Sequence, residues 1–152
     1  MMYLLDTNHC SLIFLKNQTI VNYIEEVGET NIATTIITVG ELIYMAENST
    51  YKEKNLSRID EFLADIRVYY IDEKTAKIYG QIKAGLINQF GPKQKTKRQT
   101  TKVTQLGFDE NDLWITAIAI RNQLTLVSAD TDFTRIRTVI DFSLENWRDY
   151  NK

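Results

Sequence analysis

The stretch MMYLLDTNHC, Met1–Cys10, decides how the rest of the chain is read. Its apolar run stops at Asp6, a residue poor at continuing a strand and costly to bury. Taken alone, Asp6, Thr7 and Asn8 form a turn or a helix cap, because all three side chains accept hydrogen bonds from free backbone N–H groups. That reading changes only if other carboxylates turn up in the same kind of position.

Outward from this stretch, strand-like runs and helical patterns alternate. "MYLL" reads as a short buried strand, and "CSLIFLKN" and "IVNYIEEV" carry apolar residues at helical spacing. "NIATT" is a second strand candidate. "IITVGELIYMAE" follows as a helix, with Ile36, Val39, Leu42, Ile43 and Ala46 on one stripe. "NLSRIDEFLADI" is helical, "VYYID" a strand, and "EKTAKIYGQIKAGLINQF" a helix stopped by Gly91 and the only proline, Pro92. "KQKTKRQTTK" has no apolar period and reads as a mobile loop. "DENDLWITAIAIRNQ" is a helix apolar nearly all round, hence buried on most sides. "LTLVSAD" reads as a strand, "FTRIRTV" as a short helix or turn, and "IDFSLENW" as a last short strand. Such alternation predicts an α/β domain with a mainly parallel sheet and sites at the carboxyl ends of its strands.

Composition narrows the class. At 152 residues and 43% hydrophobic content, the expectation is one domain, 1–152, with one well-buried core. A net charge of -2 excludes neither RNA nor protein partners and offers no support for a membrane. The distribution says more: Lys93, Lys95, Lys97, Arg98 and Lys102 lie together with no acid among them, a basic patch on an acidic body. With one cysteine, Cys10, and one histidine, His9, there is no intramolecular disulfide and no Cys/His zinc set, so any metal must be held by oxygen. The first residues do not read as a secretory signal, no run is long enough to span a membrane, and the expected compartment is the cytoplasm.

Four acids stand out by position. Asp6 follows the first strand, Glu41 lies one turn into a helix, Asp112 opens the most buried helix, and Asp130 follows the "LTLVS" strand. Each has an ordinary structural explanation: Asp109 and Asp112 resemble a cap and a first-turn acid, and Asp130 and Asp132 resemble turn acids. As a set they mean something else. Four converging carboxylates raise one another's pKa unless a cation neutralises them, and Mg²⁺ or Mn²⁺ suits an all-oxygen shell.

"YLLDTN", "TVGEL", "NDLWITAIAI" and "LVSADTDFTRI…LENW", in that order and at this length, resemble the PIN-domain ribonucleases of the VapC toxin type. The resemblance spans nearly the whole chain. It implies a three-layer α/β/α sandwich and a Mg²⁺- or Mn²⁺-dependent endoribonuclease. It also implies a homodimer and a cognate antitoxin that holds the enzyme inactive. Carried across motif by motif, Asp6, Glu41, Asp112 and Asp130 take the metal-binding acid positions. Ser128 falls where the family has a Thr or Ser beside the site, Asn8 is a supporting polar group, and Asp132 is the alternative to Asp130. One departure is the basic stretch, an insertion around residues 92–105 before the "ND" motif.

Physically, cations at the rim of an acidic centre offset its repulsion of a polyanion, so the basic stretch is expected to contact RNA phosphates. His9 is expected to cap or pack, Cys10 to be a small buried residue, and Trp114 and Trp147 to serve the core or an interface. Tyr44 and Tyr51 are candidates for stacking on bases. Rival folds with an acid after the first strand need a second acid that "DTN" lacks. A PIN-like module with a decayed site is the rival of a different class, and the presence of all four acids speaks against it.

Overall fold

The structure, a computed structural model, describes residues 1–148; residues 149–152, the end of the expected single domain, lie outside the described residues. The five strand-like runs form one sheet from β1 (Tyr3–Leu5), β2 (Ile32–Thr35), β3 (Arg67–Tyr69), β4 (Thr125–Val127) and β5 (Leu144–Glu145). Their order is β3-β2-β1-β4-β5 and every pair is parallel, so the mainly parallel sheet expected from sequence is wholly parallel. Around it among the described residues run α1 (Thr7–Phe14), α2 (Gln18–Val27), α3 (Ile36–Glu47), α4 (Lys52–Asp65), α5 (Glu73–Phe90), α6 (Lys95–Arg98), α7 (Glu110–Arg121) and α8 (Thr131–Ile136).

Why three layers form is visible in the central strands. Successive side chains of a strand point to opposite faces. Leu4, Ala33 and Leu126 therefore join one buried cluster, and Leu5, Ile32 and Val127 join another. The first cluster packs beneath α5, α7 and α8 through Ile82, Leu86, Leu113, Ile118 and Phe133. The second packs against α1, α2, α3 and α4 through Cys10, Ile20, Leu42 and Ile59. Each fully buried leucine contributes about 2 kcal/mol of transfer free energy, so strands of three or four residues are stabilised mainly by these two faces. Trp147, 1% exposed, closes the second face; it stacks on Tyr23 at 4.9 Å and donates its indole N–H to Glu145. Trp114 instead stacks on Tyr79 between α7 and α5, with centroids 3.8 Å apart.

The strand order reverses between β1 and β4: the chain runs outward from β1 through β2 to β3, then crosses back to β4 on the other side of β1. In an open parallel sheet, that reversal leaves a crevice at the carboxyl ends of the two flanking strands. Asp6 follows β1 and Ser128 to Asp130 follow β4, and Asp6 N–H donates to Val127 O at 3.1 Å, binding the two ends together.

The basic stretch is more ordered than its composition suggests. Gly91 stops α5: a Cβ there would lie 2.2 Å from Ile87 O, so no other residue could accept that carbonyl so closely. Lys95–Arg98 then forms a single helical turn, and Arg98 folds back to donate to Pro92 O at 3.1 Å and Lys93 O at 2.5 Å. The expected mobile loop thus contains a turn pinned by one of its own cations, a contact that hydrophobic periodicity does not register. No helix among the described residues is long and apolar enough to cross a membrane.

Candidate metal centre

Four elements deliver acids to the crevice. Asp6 is the N-cap of α1, 4% exposed, held there because its side chain accepts from the N–H of His9 at 2.8 Å. Its Oδ1 also meets His9 Nδ1 at 2.9 Å, and its Oδ2 accepts from the Ser128 hydroxyl at 2.5 Å. Ser128 Oγ in turn accepts from Asp130 N–H at 3.0 Å. Asp130 is the N-cap of α8 and accepts from Asp132 N–H at 2.9 Å. The turn read at Asp6 and the converging acid are therefore one feature.

Asp112 stands in the first turn of α7, after Asp109, which caps that helix by accepting from Asn111 N–H at 2.9 Å. Glu110 points away, bonded by Tyr79 at 2.5 Å and Lys83 at 2.9 Å. Oxygens of Asp112, Asp130 and Asp132 lie within 4.8 Å of one another, a group that could hold a metal ion. Asp6, Glu41 and Asp109 line the same cleft, whose volume is about 770 Å³. Asp130 and Asp132, alternatives in sequence, are brought together with Asp112 rather than separated.

Electrostatics mark the site as strained. Burial, then the neighbouring charges of Asp130, Asp109, Glu41 and Asp132, push Asp112 up to about 8. Every influence acts in one direction. Burial also raises Glu41; the Thr7 hydroxyl partly opposes it, while Asp109 and Asp6 add to it. A divalent cation would reverse this repulsion, and the donors are all hard oxygens. No thiol reaches the wall, whose one sulfur is the Met45 thioether: Cys10 is fully buried with its thiol pushed up to about 12, chiefly by burial.

Asn8 lines the cleft. Lys93, Lys95, Lys97 and Lys102 are exposed and Arg98 is half-buried, and none of the five is in the cleft wall; Thr104 and Gly107, a few residues later, are. Gly107 needs its glycine, since its φ of +87° is left-handed. Tyr44 and Tyr51 are exposed, at 67% and 71%. Of three further contributors, two were read from sequence in other roles and one was not read at all. Asp109 was visible only as a cap. His9 was signalled by its place three residues after Asp6 on a helix start. Arg135, which pairs with Asp132 at 3.3 Å, donates to Leu106 O and lies over the Phe108 ring, gave no sequence signal.

Comparison with known proteins agrees with this geometry. Residues 3–139 match the PIN domain family. A curated relative, Ribonuclease VapC2 of Rickettsia felis, is 32% identical over 152 aligned residues, covering 97% of this chain and 98% of the relative. Among solved structures, VapBC2 from Rickettsia felis bound to a promoter DNA fragment superposes with a TM-score of 0.76 and 30% identity, covering 97% of this chain and 99% of that one. DNA-bound VapBC from Salmonella typhimurium does so with a TM-score of 0.78 and 26% identity, covering 97% and 98%. With its acids gathered at the crevice of a wholly parallel sheet, the chain belongs to the PIN domain family, within its VapC group.

Proposed function

We propose that this chain is a metal-dependent endoribonuclease, the toxin of a toxin–antitoxin pair, and that Asp6, Glu41, Asp112 and Asp130 hold Mg²⁺ or Mn²⁺, with Asp132 beside them. The observation that carries this reading is the convergence in one cleft of acids from four separate elements, three of them with oxygens within 4.8 Å. When bound, such an ion supplies an activated water and offsets charge on the phosphodiester and its leaving oxygen. The chain's own residues do the rest. Ser128 and His9 orient Asp6, Asp130 N–H orients Ser128, and the arrangement needs no nucleophilic serine or cysteine.

The names of the relatives support RNA as substrate, and the solved VapBC complexes support a cognate antitoxin as partner. Exposed Tyr44 and Met45 on α3 offer apolar surface for protein contact, consistent with a homodimer. We assign residues 1–152 to one domain acting in the cytoplasm, with the basic insertion at 92–105 as a rim that draws in RNA phosphates.

Purified protein incubated with total RNA and Mg²⁺ or Mn²⁺ should cleave it, and Asp6→Asn and Asp112→Asn versions should not. Equal cleavage by all three overturns the assignment of these acids. No cleavage by any of them, under either metal, overturns the enzyme reading in favour of an RNA- or protein-binding module.

A further inference from the structure

The buried polar cluster around Asp6 is not used up by capping. A helix N-cap needs its side chain to accept from a backbone N–H, and Asp6 does so with the N–H of His9 at 2.8 Å. The imidazole of His9 then adds a second donor to the same oxygen, Nδ1 to Oδ1 at 2.9 Å. The carboxylate oxygen accepts, so Nδ1 carries the proton in this bond, and Nε2 faces away from it. His9 is fully buried, and Nε2 has no partner among the described residues. A ring present only to fill space would sit better as a hydrocarbon, because an unpaired buried nitrogen costs stability. Something other than packing must account for it.

A carboxylate has about four acceptor sites. In Asp6, two donors converge on Oδ1 and the Ser128 hydroxyl, 2.5 Å away, takes one site on Oδ2. Ser128 donates to Asp6, because a carboxylate oxygen only accepts. We propose that His9 is a positioning residue for Asp6: together with Ser128 it fills three of the carboxylate's acceptor sites and leaves a single one, on Oδ2, for a divalent cation. Without the imidazole, Oδ1 regains a free site and the carboxyl can turn, so the ion loses a fixed ligand direction. This inference rests on the metal-binding reading above and specifies which atom of Asp6 serves it.

The test is Mn²⁺ titration calorimetry on the wild-type chain, His9→Leu, His9→Asn and Asp112→Asn, with metal-free melting temperatures for each. An asparagine side-chain N–H starts from the position of Nδ1, so His9→Asn keeps the donor and loses the orphan nitrogen. We expect His9→Leu to weaken Mn²⁺ binding roughly tenfold while its metal-free melting temperature stays within about 3 °C. His9→Asn should recover binding to within about threefold. Wild-type affinity in His9→Leu, with affinity lost in Asp112→Asn, overturns the positioning role and leaves the metal site standing. A loss in His9→Leu that follows a falling melting temperature and persists in His9→Asn also overturns it, as the mark of packing. Absence of Mn²⁺ binding by the wild-type chain overturns both.

Discussion

The starts of α5 and α7 pose the same problem and solve it in opposite ways. Both helices begin with acids, and they pack side by side against one face of the sheet. At α5, Asp72 accepts from the backbone and hydroxyl of Thr75, each at 2.8 Å, and from Arg121 at 3.0 Å. Those donors, the Thr75 backbone first, hold it down at about 2. At α7, Asp112 is half-buried among four other acids and stands at about 8. Asp72, which serves only its helix, is surrounded by donors, whereas Asp112 is surrounded by other acids; Asp6, assigned to both roles, keeps its donors. The contrast separates the scaffold from the site without reference to any relative.

The sharpest way to break this contrast is exchange of each acid for its amide. Asp112→Asn should lower RNA cleavage by at least about a hundredfold, since it removes an oxygen ligand, while Asp72→Asn should leave cleavage unchanged. A single-turnover assay reads both, and comparable losses would erase the distinction. Melting temperatures should move the other way. Without divalent ions, Asp112→Asn is expected to raise the melting temperature by about 3 °C because repulsion is relieved, whereas Asp72→Asn lowers it through loss of a cap. Saturating Mn²⁺ should stabilise the wild-type chain, by about 2.7 kcal/mol at a hundred times the dissociation constant, and Asp112→Asn much less.

The two acids should also divide the pH profile. Asp112 is raised in the folded chain, so the folded state binds its proton more tightly than the unfolded state does; its effect is loss of stability as pH climbs from about 4 to about 8. Asp72 is depressed, so its contribution is present above 3.8 and disappears as pH falls towards about 2. Metal-free denaturation should therefore lose its fall between about pH 4 and about pH 8 in Asp112→Asn, and its fall below pH 3.8 in Asp72→Asn. The smallest effect belongs to the rim. Replacing Lys93, Lys95 and Lys97 by Gln should flatten the salt dependence of RNA binding by about 2 logarithmic units per decade of salt, and an unchanged slope would make the stretch a plain surface turn.

Much of this arrangement could be read from residues alone, for a physical reason. Strand ends and helix starts are local features, so Asp6, Glu41, Asp112 and Asp130 announced themselves through the apolar runs beside them. Pairings across the sheet left no such trace: the bond from Ser128 to Asp6 spans 122 positions, and nothing near Ser128 names its partner. The one-turn helix at Lys95–Arg98 was hidden because its closing contacts run from a guanidinium to backbone carbonyls. Asp109 was half visible, its capping role being local and its pressure on Asp112 and Glu41 arising only after folding.

That same bond from Ser128 to Asp6 sets an order of events. Synthesis delivers Asp6 first and Ser128 only 122 residues later. Until β4 pairs with β1, Asp6 has neither its serine donor nor Asp130, the fourth acid of the set. A chain that stops short of β4 therefore carries the earlier acids without the complete centre.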